Sequence, residues 1–329
     1  MIRRTICAVA LVAVSAATFA ADAQAQLPEH LRGYPLAPLR PSGDLIAPFF
    51  DGWLANPDGS VTYQFGYMNR NTEEVVDIPL GPNNYIEVVH DGHAESAERI
   101  RTGTDVIPEF PSFDGVQPTR FYVYNRRGFN GKRERGTFAV TVPDMETEVV
   151  WTLSHAGHTY SVPGRATSTA YELSWGTAAF GSLRPAVRFS PTGVESRGPE
   201  GPWGERVTAR VGQPVTLAAL VQDRGERAGL TDHGRGGGAF VPVTATFLMH
   251  QGPVGAEPMF EPASVRVEPD GGTGEGATQA QWGEVSTQAT FAEAGEYVIR
   301  IRVDNFAAED SGFDYVCCWS NAYVPVTVR

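Results

Sequence analysis

The chain has 329 residues, with 26 Lys and Arg against 38 Asp and Glu, for a net charge of −12 at neutral pH. Such a surface repels phosphate backbones, and the one local run of basic residues is Arg126 to Arg135, so nucleic acid is excluded as an expected partner. The 3 cysteines are Cys7 and the adjacent pair Cys317 and Cys318. They offer no staple between distant parts of the chain, so the fold must stand on apolar burial.

Arg3 and Arg4 precede the apolar run ICAVALVAVSAATFA, and small residues with an Ala-x-Ala spacing follow at Ala23 and Ala25. Charged, then apolar, then small is the order of a cleavable secretory signal. Residues 1–25 are therefore expected to be a leader and the mature protein to be exported, periplasmic or secreted. The apolar run falls short of the roughly 20 residues of a membrane span, and no later stretch approaches that length, so no transmembrane segment is expected. Cleavage would remove Arg3, Arg4 and Asp22, leaving 304 residues with a net charge of −13. Residues 26–48 are proline-rich without helical or alternating period and read as an extended lead-in.

From Phe49 the pattern is that of short strands. Asn56-Pro57-Asp58-Gly59 is a turn signal, since proline presets φ and glycine permits a positive one. After it Val61, Tyr63, Phe65 and Tyr67 alternate with Thr62, Gln64 and Gly66 as in a half-buried strand. Further strands are predicted at Glu74–Ile78, Tyr85–Val89, Arg120–Tyr124, Thr137–Val142, Glu148–Leu153 and Thr159–Val162, each bounded by turn formers. Seven short strands without an amphipathic helix predict a β-sandwich over residues 49–163. Residues 164–205 read as a connector with a short structured piece near Tyr171–Trp175. A second sandwich is predicted over residues 206–329, with strands at Val207–Val211, Val215–Val221, Val241–Met249, Ser264–Val267, Thr287–Phe291, Glu296–Val303 and Ala322–Val328. Gly234–Gly238 lies in a long loop, and no helix follows it to make a phosphate cradle.

Four segments of the second part carry a family resemblance: VGQPVTLAALVQD (211–223), VTATFLMHQGPVGAEPMFEP (243–262), STQATFAEAGEYVIRIRVDN (286–305) and AYVPVTV (322–328). Together they resemble the polycystic-kidney-disease-like (PKD-like) branch of the immunoglobulin-like sandwiches. The most specific element is the strand pair marked by Phe291, Gly295, Tyr297 and Val303. The central strand departs from that pattern, with Phe247 or Leu248 in place of the usual tryptophan, and an extra segment carrying Cys317, Cys318 and Trp319 precedes the last strand. The resemblance implies a spacer, adhesion or accessory module. The first part, through NPDGSVTYQFGYMNRN and VDIPLGPNN, resembles uncharacterised exported bacterial proteins, which brings no activity with it. The expected fold is thus all-β, two immunoglobulin-like sandwiches after a signal peptide and a Pro-rich segment.

Several side chains have chemistry to offer. His90 and His93, and again His155 and His158, frame His-x-Gly-His turns, and four imidazoles meeting on one face would hold zinc or copper; the plainer reading is two hairpin bends. Asp223, Asp304, Asp310 and Asp314 near loop ends would supply oxygens to calcium, although their spacing fits no defined calcium loop. Cys317 and Cys318 admit a vicinal disulfide, thiols for a soft metal or a second chain, or inert burial beside Trp319. Trp53, Trp203 and Trp282 would stack on a sugar if exposed, or plug the core if not. No Gly-x-Ser-x-Gly elbow or triad spacing is present. The expectation is a non-enzymatic binding, adhesion or structural module with a protein or glycan ligand. The alternative is an envelope metal-binding factor or enzyme built on the four histidines.

Overall fold

A computed structural model describes residues 39–89, 99–101, 115–123, 133–176, 183–225, 243–267, 281–305 and 319–329. Their regular structure is strand throughout apart from one 3-10 turn, Thr169–Tyr171. The first nine strands are β1 (Ile46–Ala55), β2 (Val61–Asn69), β3 (Val76–Asp77), β4 (Asn84–Val89), β5 (Arg99–Arg101), β6 (Arg120–Phe121), β7 (Glu134–Val142), β8 (Glu148–His155) and β9 (His158–Gly164). One sheet runs β1-β2-β7, a second runs β5-β4-β8-β9, and β3 pairs with β6. All these pairs are antiparallel. Assigned immunoglobulin letters, the sheets read A-B-E and C′-C-F-G.

The aromatic half of the Val61–Tyr67 alternation fills this core, but the strand is not half-buried as expected: Thr62 and Gln64 on its other face are also covered. Tyr63, Phe65 and Tyr67 lie inside with Phe138, Phe121 and Trp151. Phe138 meets the Trp151 ring edge-on at 4.9 Å and stacks on Phe65 at 5.2 Å, arrangements that add to area burial. The predicted turn joins β1 to β2, with Gly59 at φ +89° and Gly59 N–H donating to Asn56 O at 3.0 Å. The Pro-rich lead-in ends sooner than expected. Leu45 and Ile46 are buried, and β1 starts at Ile46, because apolar side chains there reach the core despite Pro48. Pro48 is tolerated on an edge strand, where a missing donor costs no ladder bond. Both motifs that carried the resemblance of this part contain buried asparagines that complete loop backbone. Asn69 Nδ2 donates to Glu74 O and Phe121 O, and Asn84 Nδ2 to Ile78 O and Pro118 O. Asn84 Oδ1 accepts from Trp151 Nε1 at 3.1 Å.

The remaining strands are β10 (Ala186–Arg188), β11 (Val207–Ala209), β12 (Val215–Gln222), β13 (Val243–Gln251), β14 (Met259–Glu261), β15 (Ser264–Val267), β16 (Gly283–Thr290), β17 (Gly295–Asp304) and β18 (Trp319–Val328). They form two sheets, β10-β12-β16-β14 and β11-β18-β17-β13-β15. In chain order β10, β12, β13, β14, β16, β17 and β18 take the letters A to G, so A-B-E-D faces G-F-C, the immunoglobulin order. β11 adds to β18 in parallel. The expected connector 164–205 therefore contributes a strand: Val187 is fully buried in the second core, which draws β10 into the sheet. Of the two residues offered for the central strand, Phe247 faces inward and Leu248 outward, as alternation from buried Ala245 and Met249 requires.

Tyr297 opens β17 and its hydroxyl donates to Glu293 O at 2.9 Å, the tyrosine corner of immunoglobulin-like sandwiches. Tyr297→Phe removes this bond and keeps the ring. The expected cost is about 1 kcal/mol, read as a lower urea midpoint at unchanged m. An unchanged midpoint would show the corner to be incidental.

Candidate functional site

Leu39–Arg329 form one compact unit with two apolar cores, and what lies between those cores is polar. The outer face of the β13-β17-β18 strands supplies one side. Inward positions Ile299 and Ile301 line the second core, so Arg300 points outward, in register with Leu248 on β13 and Tyr323 on β18. Outward positions on a sheet normally meet water. Here Arg300, Asn321, Tyr323 and His250 are all at most 2 % exposed, because β7, β6 and the segment before β6 cover them.

The contacts form a continuous chain of donors and acceptors. Arg300 Nη2 pairs with Glu134 Oε1. Tyr67 OH donates to Glu134 Oε2 at 2.6 Å and accepts from Tyr122 N–H at 2.9 Å. Tyr122 OH donates to Met249 O at 3.2 Å and accepts from Met249 N–H at 2.9 Å. Thr137 O receives Arg300 Nη1 at 3.0 Å and Asn321 Nδ2 at 3.2 Å, and Tyr323 OH lies between Thr137 O and Pro199 O at 3.1 and 2.6 Å. Thr119 N–H donates to His250 O at 2.9 Å, a backbone bond from one half to the other. Farther along, Arg120 bonds Ala256 O at 2.8 Å and pairs with Asp77, while Gly255 N–H donates to Asp77 Oδ2 at 2.8 Å. Gly136 has φ +54°, and a Cβ there would fall 2.4 Å from Trp319 Nε1, so only glycine permits this approach.

Burial sets the electrostatics. Desolvation pushes the Glu134 carboxyl up, but Arg300, Arg302 and the Tyr67 hydrogen bond outweigh it, and the net pKa lies below the ordinary glutamate value. The Tyr67 phenol is raised well above its usual range by burial and by Glu134 beside it. His250 is pushed down to about 3 by burial and then by Arg300. Its Nε2 lies 2.7 Å from Val116 O, which only accepts, so Nε2 carries the proton of a neutral ring. These groups are held in fixed protonation states. The seam is suited to fastening, and Glu134, Tyr67 and His250 are each held away from the range in which a group exchanges a proton near neutrality.

The described residues among those singled out from sequence do not converge on one site. His155 and His158 face each other across the two-residue turn Ala156-Gly157, both at positive φ as in a type I′ hairpin, and His158 stacks on Tyr160 at 6.1 Å. His90 and His93 lie outside the described residues, as do Asp310, Asp314, Cys317 and Cys318. Asp223 and Asp304 are buried at one end of the second sandwich, and Asp223 Oδ1 accepts from Asn305 Nδ2 and Gly225 N–H. Among the described residues no three His, Cys, Asp or Glu converge as a metal site would require. Trp53 is a core residue, its Nε1 donating to Ser168 O at 3.0 Å, so it offers no platform. Trp203 is 44 % exposed and stacks on Tyr323 at 4.8 Å. Among the described residues no helix is long and apolar enough to cross a membrane.

Sequence reasoning missed the seam altogether. Val298, Arg300 and Arg302 alternate with Tyr297, Ile299, Ile301 and Val303, which reads as a solvent face, and nothing local marks Arg300 as covered. The usable signal is a polar or aromatic series at outward positions of three neighbouring strands, His250, Arg300, Asn321 and Tyr323.

No protein-family model matches the chain, and no curated protein does. Among solved structures it is similar to the ASH / PapD-like domain of human CEP192 (PapD-like domain 7), at 11% identity over 50% of this chain and 96% of that one, TM-score 0.22. It is also similar to the titin Ig tandem domains A164-A165, at 10% identity over 86% of this chain and 97% of that one, TM-score 0.18. A second titin segment, A168169, gives 12% identity over 86% and 99%, TM-score 0.18. The immunoglobulin-like assignment rests on the chain's own strand order, its two cores and its tyrosine corner.

Proposed function

We propose that this protein is an exported, non-enzymatic module in which two immunoglobulin-like domains, the second of the PKD-like branch, are fastened into one stiff body that presents a binding surface in the envelope or outside the cell. The fold itself fits a binding or structural module. The observation that carries the reading is the polar seam: side chains and backbone of both halves hydrogen-bond one another across it, where a flexible tandem would leave that surface to water. Interfaces between domains of one chain are by default loose enough to move, and a covered ion pair with its hydrogen bonds opposes that. The Arg3–Arg4, apolar, Ala-x-Ala order of the first 25 residues supports export.

Two measurements test this. Expressed from Met1 in a bacterial host, the protein should be recovered from the periplasm or medium with Gln26 at its amino terminus, and an uncleaved cytosolic product would sink export. Urea unfolding should show a single transition for both cores, with the Thr119, Met249 and Gly255 amides exchanging hydrogen only on global unfolding. Two separated transitions would mean independent domains and would overturn the stiff-body reading.

A further inference from the structure

The seam occupies the outer face of one sheet of the second sandwich and leaves the outer face of β10-β12-β16-β14 uncovered by it. On that face the fold assembles basic groups that are scattered in sequence. The Arg188 guanidinium lies 3.8 Å from the centre of the Trp282 ring, with Arg224 at 5.7 Å from the same ring. Val187 and Ser196 exchange backbone bonds at 3.0 and 3.1 Å, which lays residues 195–197 along the edge of β10. There Arg224 and Arg197 share one carboxylate, that of Glu195, at 2.8 and 3.8 Å. Arg188 has none: among the described residues it makes no hydrogen bond or ion pair, and its buried Nε is without an acceptor. Three arginines thus gather around the single carboxylate of Glu195, with Glu284 two strands over, on a chain of net charge −12.

The geometry points to a carboxylate-bearing glycan as the ligand of this face, with Arg188 as the group that binds its uronate carboxylate. This rests on reading the protein as a binding module. A guanidinium stacked on an indole uses its faces for the ring and keeps the in-plane N–H fork for an anion, and the stacking fixes the fork in advance, so little ordering entropy is lost on binding. Beside this ledge run the two central strands of the sheet. The outward pairs of β12 and β16 are Thr216 with Gln288, Ala218 with Ser286 and Leu220 with Glu284, and Gln288 Nε2 donates to Thr216 Oγ1 at 2.9 Å. Small hydroxyl, amide and methyl groups of this kind suit the alternating hydroxyl and C–H surface of a sugar ring. β12 and β16 each have neighbours on both sides, so neither offers backbone for an extended peptide to pair with. That favours a saccharide over an acidic peptide, and charge complementarity selects the acidic kind.

Oligogalacturonate is the probe, titrated calorimetrically into the full chain, with the methyl-esterified oligomer and a poly-glutamate peptide in parallel. The expected result is binding that weakens as salt is raised. The ester should bind at least tenfold more weakly and the peptide more weakly than the oligogalacturonate. Arg188→Ala should lose at least tenfold, and Arg188→Lys, which keeps the charge and loses the stacked fork, severalfold. Far-UV dichroism and the urea midpoint establish that each variant is folded, and Arg188→Lys carries the test if Arg188→Ala is not. Absence of binding, or equal binding by the folded arginine variants, overturns the proposal. Tighter binding of the peptide overturns it in favour of an acidic protein partner. None of these outcomes alters the single unfolding transition expected of the stiff body, so the two readings fail separately.

Discussion

Glu134→Ala is expected to lower unfolding free energy by about 3–5 kcal/mol, the range for removing one partner of a buried ion pair. The loss comes from what is left behind. Arg300, which the fold covers, would remain as a buried cation with no carboxylate, and the Tyr67 hydroxyl would lose its acceptor. Its remaining bond to Thr137 O does not neutralise the charge. Replacing both members with apolar groups, as in Glu134→Leu with Arg300→Met, removes the uncompensated charge along with the pair, and most of the loss should be recovered. Urea unfolding of the three variants checks this. A single-variant loss under 1 kcal/mol would show that water reaches Arg300 and that the seam is looser than its geometry implies.

Between pH 7 and pH 5 the protein is expected to lose about 2 kcal/mol of stability through His250 alone, at about 1.4 kcal/mol per pH unit once the unfolded ring is protonated. The folded ring, held at about 3, stays neutral while the unfolded ring takes a proton near 6.5. The unfolded state thus binds more protons across that window. Stability is fully present above 6.5 and declines as pH falls toward 3. Glu134, held below the ordinary value by Arg300, adds a loss in the same direction that begins only near 4.5. Asp51 and Glu200, whose carboxyls are raised chiefly by burial, act in the opposite sense at acid pH. The clean measurement is therefore a difference, wild type minus His250→Gln, followed by urea midpoint from pH 7.5 to 5. A flat difference would place His250 in contact with solvent.

The strands were legible where side chains alternate against a single core. Tyr63, Phe65 and Tyr67 predicted β2, and Gly295 with Tyr297 predicted the start of β17 and the corner that anchors it. Short strands fixed by partners far along the chain were not legible: Ala186–Arg188 carries too little pattern, and only its register against Leu220–Gln222 makes it a strand. The same distance hid the sites. Arg188, Arg197, Arg224 and Trp282 come from three separate stretches, so a search for basic runs found only Arg126 to Arg135. Alternation was misleading at Arg300, because period two separates the two faces of a sheet and does not say whether a second layer covers the outer one.

Glu134 and Arg300 are 166 positions apart, and the strand that completes the seam, Trp319–Val328, is the last of those described. During synthesis the first core can close well before its partner surface exists. The waiting surface then consists of Glu134, Tyr67, Tyr122 and backbone carbonyls, which water can solvate in the interim. A greasy interface at the same place would have stood open to other nascent chains for as long. Fastening by hydrogen bonds thus keeps the half-made molecule dispersed, and the halves lock only when β17 and β18 arrive.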